Sequence, residues 1–219
     1  MVKFEEREFV KFYLGDKNIR SHIDALHAAA PHADMYTGKV VEGVIKKINC
    51  HGIISTVSRD DADLNRYPNQ KNSEAIKKYR QTIKGILEHI GILNEENERV
   101  IKPYLHLAIH GIRNKVHGPE TIEIGTRLGK TCSKEVKEWF EGELDGGDWE
   151  ILIDKKKTGD PSKIVHRCGD KISNLYYRGY GENFNTFQIE ISRTLREKYQ
   201  NELIDMFSDI IISFNEKFK

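Results

Sequence analysis

Short apolar runs typical of buried strands alternate with longer amphipathic runs typical of helices along most of this chain. The strand-like runs are HIDALHAAAPHA, HGIISTVS, PYLHLAIHGI, TIEIGTR, WEILID and NTFQIEISR, at residues 22–33, 51–58, 103–112, 121–127, 149–154 and 185–193. The helical runs span residues 38–48, 72–92, 133–144 and 196–218. This alternation predicts an α/β fold with a mostly parallel or mixed central sheet and helices on both faces.

Length and composition limit the classes of protein that this chain can belong to. Its 219 residues predict one sizeable domain over 1–219. Lys plus Arg is 35 and Asp plus Glu is 34, a balance that gives no electrostatic basis for binding nucleic acid or an anionic membrane. The three cysteines are far apart, which argues against a disulfide framework. The charged N-terminus lacks the apolar core of a signal peptide, so we expect a cytoplasmic protein.

Polar residues follow the strand-like runs at four places. In open α/β sheets, sites form at the carboxyl ends of strands, so these residues are candidates for a functional site. PHAD contains His32 and Asp34, SRDDADLNR occupies 58–66, HGIRN contains His110, and QIEISR contains Glu190. Two histidines and a carboxylate on separate loops can form a catalytic zinc site, and zinc lowers the pKa of a bound water to about 7.

Glu190 is a candidate for moving the proton of such a water. In FQIEIS, the apolar side chains occupy one face of a strand, while Gln188, Glu190 and Ser192 occupy the other, which would face the site. Each feature also has a structural explanation, since Glu190 could pair with Arg193 and DLNR could be an ordinary turn. The remaining histidines are expected at the surface or packed in the interior: His22, His27, His51, His89, His106, His117 and His166.

Together and in this order, the motifs resemble those of the N-formylglutamate amidohydrolase family, within the zinc-carboxypeptidase-like hydrolases. The matching features are a PH pair, DLNR after a strand, a histidine and glycine at a strand end, IEIGT, and FQIEISRTLREK. They span roughly residues 30–197, which is most of the chain. The resemblance implies a zinc-carboxypeptidase-like fold and an amidohydrolase that acts on a small acidic substrate.

Roles follow from the resemblance for several residues. It implies that His32 and His110 bind one zinc ion, that Glu190 activates the water, and that Asn65 with Arg66 holds a substrate carboxylate. Arg59 is expected to supply a second positive charge for the carboxylate or the oxyanion. The aspartates at 60, 61 and 63 are expected to hold the arginines, and Arg127 is a candidate for a further anion contact.

The chain departs from the family pattern at two positions. Met35 stands where carboxypeptidase relatives have the glutamate of a His-x-x-Glu pair, so Asp34 is the expected third ligand and Glu42 the second choice. Asn185 stands where the family often has a histidine before its QIEI strand. Because of these changes, a relative that binds an acidic metabolite or peptide without hydrolysing it is the first alternative. An interaction protein whose charged residues form surface ion pairs is the second.

The segment 155–184 is predicted to be rich in loops, because it contains several glycines, tyrosines and lysines without a clear period. One tyrosine among Tyr176, Tyr177 and Tyr180 could close over a bound substrate. Packing in the core or exposure at the surface is the alternative for all three.

Overall fold

The structure, a computed structural model, describes residues 2–145, 147–170 and 177–219. The strands are β1 (Glu5–Arg7), β2 (Val10–Tyr13), β3 (Ser21–Ala25), β4 (His51–Ser55), β5 (Tyr104–Ile112), β6 (Thr121–Gly125), β7 (Glu150–Ile153) and β8 (Phe184–Ser192). The helices are α1 (Thr37–Ile48), α2 (Ser73–Ile90), α3 (Asn114–His117), α4 (Lys134–Glu143), α5 (Lys163–Cys168), α6 (Arg193–Lys198) and α7 (Gln200–Lys217). Tyr176 lies outside the described residues.

The strands form one eight-stranded sheet in the order β1-β2-β4-β3-β5-β8-β6-β7. The central strands β4, β3, β5 and β8 are parallel, as are β6 and β7. Strand β6 runs antiparallel to β8, and the β1–β2 hairpin adds antiparallel strands at the other edge. The predicted α/β class with a mixed sheet is therefore confirmed.

Alternating residues of the central strands face two separate apolar cores. On one side, Ile54 and Phe187 pack with side chains of α1, α4 and α7. On the other side, Ile53 and Phe184 pack with the apolar face of α2. Because the strands are covered on both faces, all positions of β3, β4 and β8 are buried, as parallel central strands require.

Several boundaries differ from the sequence prediction. The first predicted strand corresponds to β3, which ends at Ala25, well before the predicted residue 33. The chain then turns through a cis peptide bond at Ala30–Pro31. The predicted C-terminal helix is divided into α6 and α7 at Tyr199. The loop-rich segment 155–184 contains the short helix α5. Helix α4 begins as its sequence predicts, because Ser133 Oγ accepts a hydrogen bond from the backbone N–H of Val136.

None of the helices in the described parts of the chain is both long and apolar enough to cross a membrane.

Candidate functional site

Two histidines and one aspartate meet where strands β3 and β5 end. His27 follows β3 by two residues, Asp34 lies on the connection to α1, and His110 is near the end of β5. The Nδ1 atoms of the two histidines are 3.2 Å apart, and each lies 3.5 Å from Oδ2 of Asp34. We call these three residues the site cluster, because their potential ligand atoms converge.

The spacing of the site cluster fits a zinc ion. A tetrahedral zinc ion with bonds of about 2.0–2.1 Å holds its ligand atoms about 3.3 Å apart, close to the 3.2, 3.5 and 3.5 Å separations in the site cluster. The imidazole planes of His27 and His110 are inclined by 69°, so the two rings meet edge to face and are not stacked. Two histidines and one carboxylate leave the fourth position of a tetrahedron free, as catalytic zinc sites require.

Asp63 orients the first histidine. Nε2 of His27 lies 2.7 Å from Oδ1 of Asp63, an arrangement that leaves Nδ1 facing the cluster. Burial disfavours the charged ring, but hydrogen bonds with Asp34 and Asp63 outweigh it and raise the pKa of His27 above its usual value. Burial also opposes ionisation of Asp63, yet the bond with His27 lowers the pKa of this carboxyl to about 2. The hydrogen bond between Asp63 and His27 therefore holds His27 in position within the site cluster.

Asp34 stays ionised in the site cluster although it is largely buried. Burial raises its pKa, but hydrogen bonds with His110 and His27 and the positive charge of Arg59 outweigh burial and hold the pKa well below its usual range. Nη2 of Arg59 lies 2.6 Å from Oδ1 of Asp34, while Oδ2 faces the histidines. Arg59 is thus next to the position that an ion would occupy.

The loop that carries Asp34 is anchored to the ends of two strands. The buried guanidinium of Arg196 donates to the carbonyl oxygens of Ile191, Met35 and Ile112. Gly111 makes room for this side chain, because a Cβ at that position would lie 2.5 Å from the guanidinium carbon. The glycine after His110 therefore allows the contact that fixes the residue after Asp34.

A cavity of about 280 Å³ opens beside the site cluster, and we call it the site cavity. Glu190 lines it and pairs in register with His110 on the neighbouring strand. Nε2 of Gln188 donates to Oε1 of Glu190 over 2.9 Å. Oε2 of Glu190 has no hydrogen-bond partner in the described ranges, so one oxygen is held and the other is available.

A second wall of the site cavity carries the predicted Asn-Arg pair. Asn65 is buried and its Nδ2 lies 3.5 Å from Oε1 of Gln188, whereas the Arg66 side chain is half exposed. The Arg66 guanidinium forms an ion pair with Asp160. Asp160 is itself held by a 2.8 Å bond from its backbone N–H to Oε1 of Gln188. Gln188 therefore links Glu190 to the wall that carries the basic residue.

The loop 156–161 forms the third wall, and a buried carboxylate fixes it. Oε1 of Glu123 accepts hydrogen bonds from the backbone N–H groups of Lys156 and Lys157, and Oε2 lies 2.6 Å from Nε2 of His117. Gly159 lies directly over the end of β6, where a Cβ on Gly125 would meet its backbone nitrogen at 2.3 Å. The part of the loop-rich segment that lines the cavity is thus firmly held.

The structure brings six of the eight predicted site residues to the site cavity: Asp34, Arg59, Asn65, Arg66, His110 and Glu190. His32 is not in the site cluster, because it has a positive φ, its side chain is 76% exposed, and its Nδ1 binds Asp60. Arg127 does not line the cavity and instead donates to Oγ1 of Thr158.

The other candidate residues have structural contacts. Tyr177 and Tyr180 pack edge to face beside α2, in agreement with the core alternative rather than with closure over a substrate. Asn185 links Ser133 and Arg167 through Oδ1 and lies away from the cavity. Glu42 pairs with Lys11 and does not reach the site cluster.

Sequence reasoning missed His27, Gln188, Glu123 and Asp160. His27 could not be chosen over His32 from the sequence, because the strand was predicted to run to residue 33, whereas β3 ends at Ala25, two residues before His27. Gln188 shares the polar face of β8 that was identified for Glu190. Glu123 and Asp160 carry no local signal, since their roles depend on contacts between distant segments.

No protein-family model matches the sequence, and no curated protein matches it significantly. Solved structures with the same fold are found. N-formylglutamate amidohydrolase from Ralstonia eutropha is 15% identical with a TM-score of 0.66, covering 94% of this chain and 97% of that chain. A gene product of Agrobacterium tumefaciens is 12% identical with a TM-score of 0.59, covering 95% and 96%.

A bacteriophage poly-gamma-glutamate hydrolase is also similar, at 10% identity and a TM-score of 0.54, covering 94% of this chain and 89% of that chain. At these identities the likeness concerns the fold. The chain therefore has the fold of N-formylglutamate amidohydrolase, as its motifs led us to expect, with histidine, carboxylate and arginine side chains gathered where its parallel strands end.

Proposed function

We propose that this protein is a zinc-dependent amidohydrolase that cleaves a C–N amide bond in a small acidic substrate. The observation that carries the proposal is the convergence of three ligand atoms of the site cluster at separations of 3.2–3.5 Å, beside Glu190 and the Asn65–Arg66 pair. The shared fold of a solved N-formylglutamate amidohydrolase supports the same reaction class.

His27, Asp34 and His110 would hold the ion, with His27 in the place that the motifs assigned to His32. Zinc bound there would polarise a carbonyl oxygen and lower the pKa of a water toward neutrality. Asp63 contributes by holding His27 in the tautomer whose Nδ1 carries a free electron pair. The cluster residues thus need no rearrangement larger than side-chain adjustment to bind the ion.

Glu190 is the group placed to move protons. Its Oε1 is fixed by Gln188, while Oε2 can accept a proton from the attacking water and deliver it to the leaving nitrogen. Its position on β8, in register with His110, keeps this oxygen on the same face as the site cluster. Glu190 would therefore act as general base and then as general acid.

Arginines on two walls suit the charges of the substrate and of the oxyanion. Arg66 can form two parallel hydrogen bonds with a carboxylate, and Asn65 adds an amide beside it. Because Asp160 occupies Arg66 in the structure, a substrate carboxylate has to replace that ion pair. Arg59, adjacent to Asp34, is placed to stabilise negative charge on the carbonyl oxygen.

Two measurements test the proposal. Zinc content by mass spectrometry should be about one per chain after loading and dialysis. Hydrolysis of N-formyl- and N-acetyl-L-glutamate should require the metal and fall by about 100- to 10,000-fold in Glu190→Gln, because the variant loses only the proton carrier. Glu182→Gln, an exposed carboxylate before β8, is the matched control and should retain activity.

The outcomes separate the alternatives. Zinc bound without hydrolysis of any acylated acidic amino acid would favour the binding protein that does not hydrolyse its ligand. Absence of zinc after loading would contradict the metal site and favour the ion-pair explanation of the charged residues. Full activity of Glu190→Gln would remove Glu190 from the mechanism.

A further inference from the structure

A second and larger cavity, of about 580 Å³, adjoins the site cavity. The two cavities share Asp34, Arg59 and Gly111, so the second one opens directly beside the site cluster. Beyond the shared residues its walls carry Arg113 and Arg193. We call it the arginine cavity, and neither the motifs nor the proposed mechanism gives it a role.

Positive charge in the arginine cavity exceeds negative charge. Arg113 is exposed, and its side chain has no acidic or hydrogen-bonding partner in the parts of the chain that the structure describes. The Arg193 side chain is 43% exposed, pairs with Glu197 and lies over the Tyr36 ring. The buried Arg196 guanidinium, bound to three neutral carbonyl oxygens, adds a further fixed charge at the base. Such a cavity attracts an anion.

The two exposed arginines are held at a defined separation by their neighbours in sequence. Nδ2 of Asn114 donates to Oγ1 of Thr194 over 2.8 Å, and Oδ1 of Asn114 accepts from the backbone N–H of Thr194. This pair of bonds joins the start of α3 to the start of α6, one residue after each arginine. The backbone of the anion-binding wall is therefore preorganised, which lowers the entropic cost of binding.

We propose that the arginine cavity binds an anionic group at the far end of the substrate's acyl half, so that the preferred substrate is an acidic amino acid acylated by a dicarboxylic acid. The inference rests on the proposed hydrolase function and specifies its substrate class. The Asn65–Arg66 wall binds the carboxylate of the amine half, and Arg113 with Arg193 binds the carboxylate of the acyl half.

The size of the arginine cavity supports this assignment. A water molecule has a share of about 30 Å³ in the liquid, and a formyl group is of similar size, so it would leave almost all of this cavity to solvent. A four- or five-carbon diacid would extend from a reacting carbonyl near the shared residues into this cavity, whose walls offer guanidinium groups to its terminal carboxylate. A neutral chain of the same length has no such partner.

The test compares N-glutaryl-L-glutamate with N-pentanoyl-L-glutamate, which share the amine half and the five-carbon acyl chain and differ in the terminal carboxylate. The zinc-loaded wild type should favour the glutaryl substrate by at least about tenfold in kcat/KM. In the Arg113→Gln/Arg193→Gln double variant this ratio should fall by about 10- to 100-fold. Lys115→Gln/Lys198→Gln removes two exposed charges on the same helices, outside the cavity, and should keep the wild-type ratio.

A wild type without preference, or a double variant that keeps the preference, would overturn the inference. Restoration of the preference in Arg113→Lys/Arg193→Lys would show that charge is the cause. If the zinc-loaded wild type hydrolyses neither compound, the proposed function fails. Calorimetric titration of both compounds then tests separately whether the arginine cavity binds the terminal carboxylate. Tighter binding of the glutaryl compound, lost in the double variant, supports the assignment, whereas equal binding overturns it.

Discussion

Two groups of identical composition, each with two histidines and one aspartate, lie along strands β3 and β5 or just beyond their ends. The site cluster lies at the carboxyl ends of these strands. The second group, His22, Asp24 and His106, lies within the same strands, facing α2, and we call it the buried cluster. Both groups have ligand atoms near one another, so composition and proximity do not distinguish them.

Ring orientation and access to solvent do distinguish them. His22 and His106 are stacked at 4.1 Å with an interplanar angle of only 9°, so their nitrogens point in the same direction and not at a common position. All three residues are inaccessible to solvent. The site cluster instead has inclined rings and opens into a cavity. This difference favours the site cluster as the proposed metal site and the buried cluster as a structural network.

The hydrogen bonds of the buried cluster agree with a structural role. Oδ2 of Asp24 accepts from the Tyr79 hydroxyl over 2.6 Å and lies 2.9 Å from Nε2 of His106. Burial raises the pKa of Asp24, but the charges of His106 and Lys163 outweigh it and keep the pKa well below its usual range. The carboxylate therefore joins β3 and β5 to α2 as an ion, where removal of one partner is costly.

The largest expected effect is loss of metal on removal of one histidine ligand. His27→Ala and His110→Ala should each weaken zinc binding on the order of a thousandfold, because one of three protein ligands is lost. His32→Ala should leave zinc affinity unchanged, since this side chain is exposed and bound to Asp60. Competition with a chromophoric chelator, on variants whose fold is checked by circular dichroism, measures the difference.

A result in which His32→Ala releases zinc would return the ligand role to His32 and would show that the loop after Pro31 moves on metal binding. His106→Ala provides the control for the buried cluster. Its zinc affinity should equal that of the wild type, and a large loss in the folded variant would contradict the assignment of that cluster to structure alone.

The second prediction concerns the free energy of unfolding of the metal-free protein. Asp24→Ala should lower it by about 3–5 kcal/mol, because the substitution leaves the buried partners Tyr79 and His106 without their acceptor. Asp34→Ala should cost less, about 1–2 kcal/mol, since Asp34 borders the site cavity and water can take the place of its oxygens beside Arg59. Urea denaturation in the presence of a chelator measures both values. Equal losses would contradict the division into structural and functional clusters.

Part of the fold and part of the candidate site could be predicted from the sequence alone. Hydrophobic periodicity predicted the α/β class and most elements, because burial on two sheet faces imposes that pattern directly on the sequence. The polar face of β8 was also predictable, since alternation along a strand fixes which side chains share a face. Glu190 was identified for this reason.

Which histidines form the site cluster could not be predicted from alternation along a strand. His27 and His32 are both near the end of β3, and only the turn that follows Ala25 determines which one reaches His110. His106 and His110 lie on the same face of β5, but only contacts from α2 and β3 give one of them a stacked partner. Such differences arise from packing between distant segments, for which a short motif carries no information.

A third prediction tests the support of the site cluster and is smaller in size. Asp63→Asn should lower zinc affinity by about 10- to 100-fold, because the amide no longer fixes the tautomer of His27 as the carboxylate does. Asp60→Asn alters the equivalent partner of the exposed His32 and should have no effect. A loss of the same size in both variants would point to a general effect of charge on the 58–66 loop.

A fourth prediction concerns the pH dependence of the free energy of unfolding of the metal-free protein between pH 8 and 5. Burial lowers the pKa of His22 and His166 well below the usual value, so these rings stay neutral in the folded state while they become charged in the unfolded chain. Each therefore contributes stability that is present above about pH 6.5 and lost below it, by about 1.4 kcal/mol per pH unit. Carboxylates with lowered pKa values act only nearer pH 4 and do not contribute in this range.

His27 acts in the opposite direction, which makes the comparison measurable. Because its folded pKa is raised, its contribution is present below about pH 6.5 and is lost as the pH rises through the folded value. In chelator-treated protein, His166→Gln should flatten the loss of unfolding free energy on acidification, and His27→Gln should steepen it. If both variants change the pH dependence of the unfolding free energy in the same direction, His166 and His27 have the same protonation state in the folded protein. The electrostatic distinction between the region around the buried cluster and the site cluster would then be wrong.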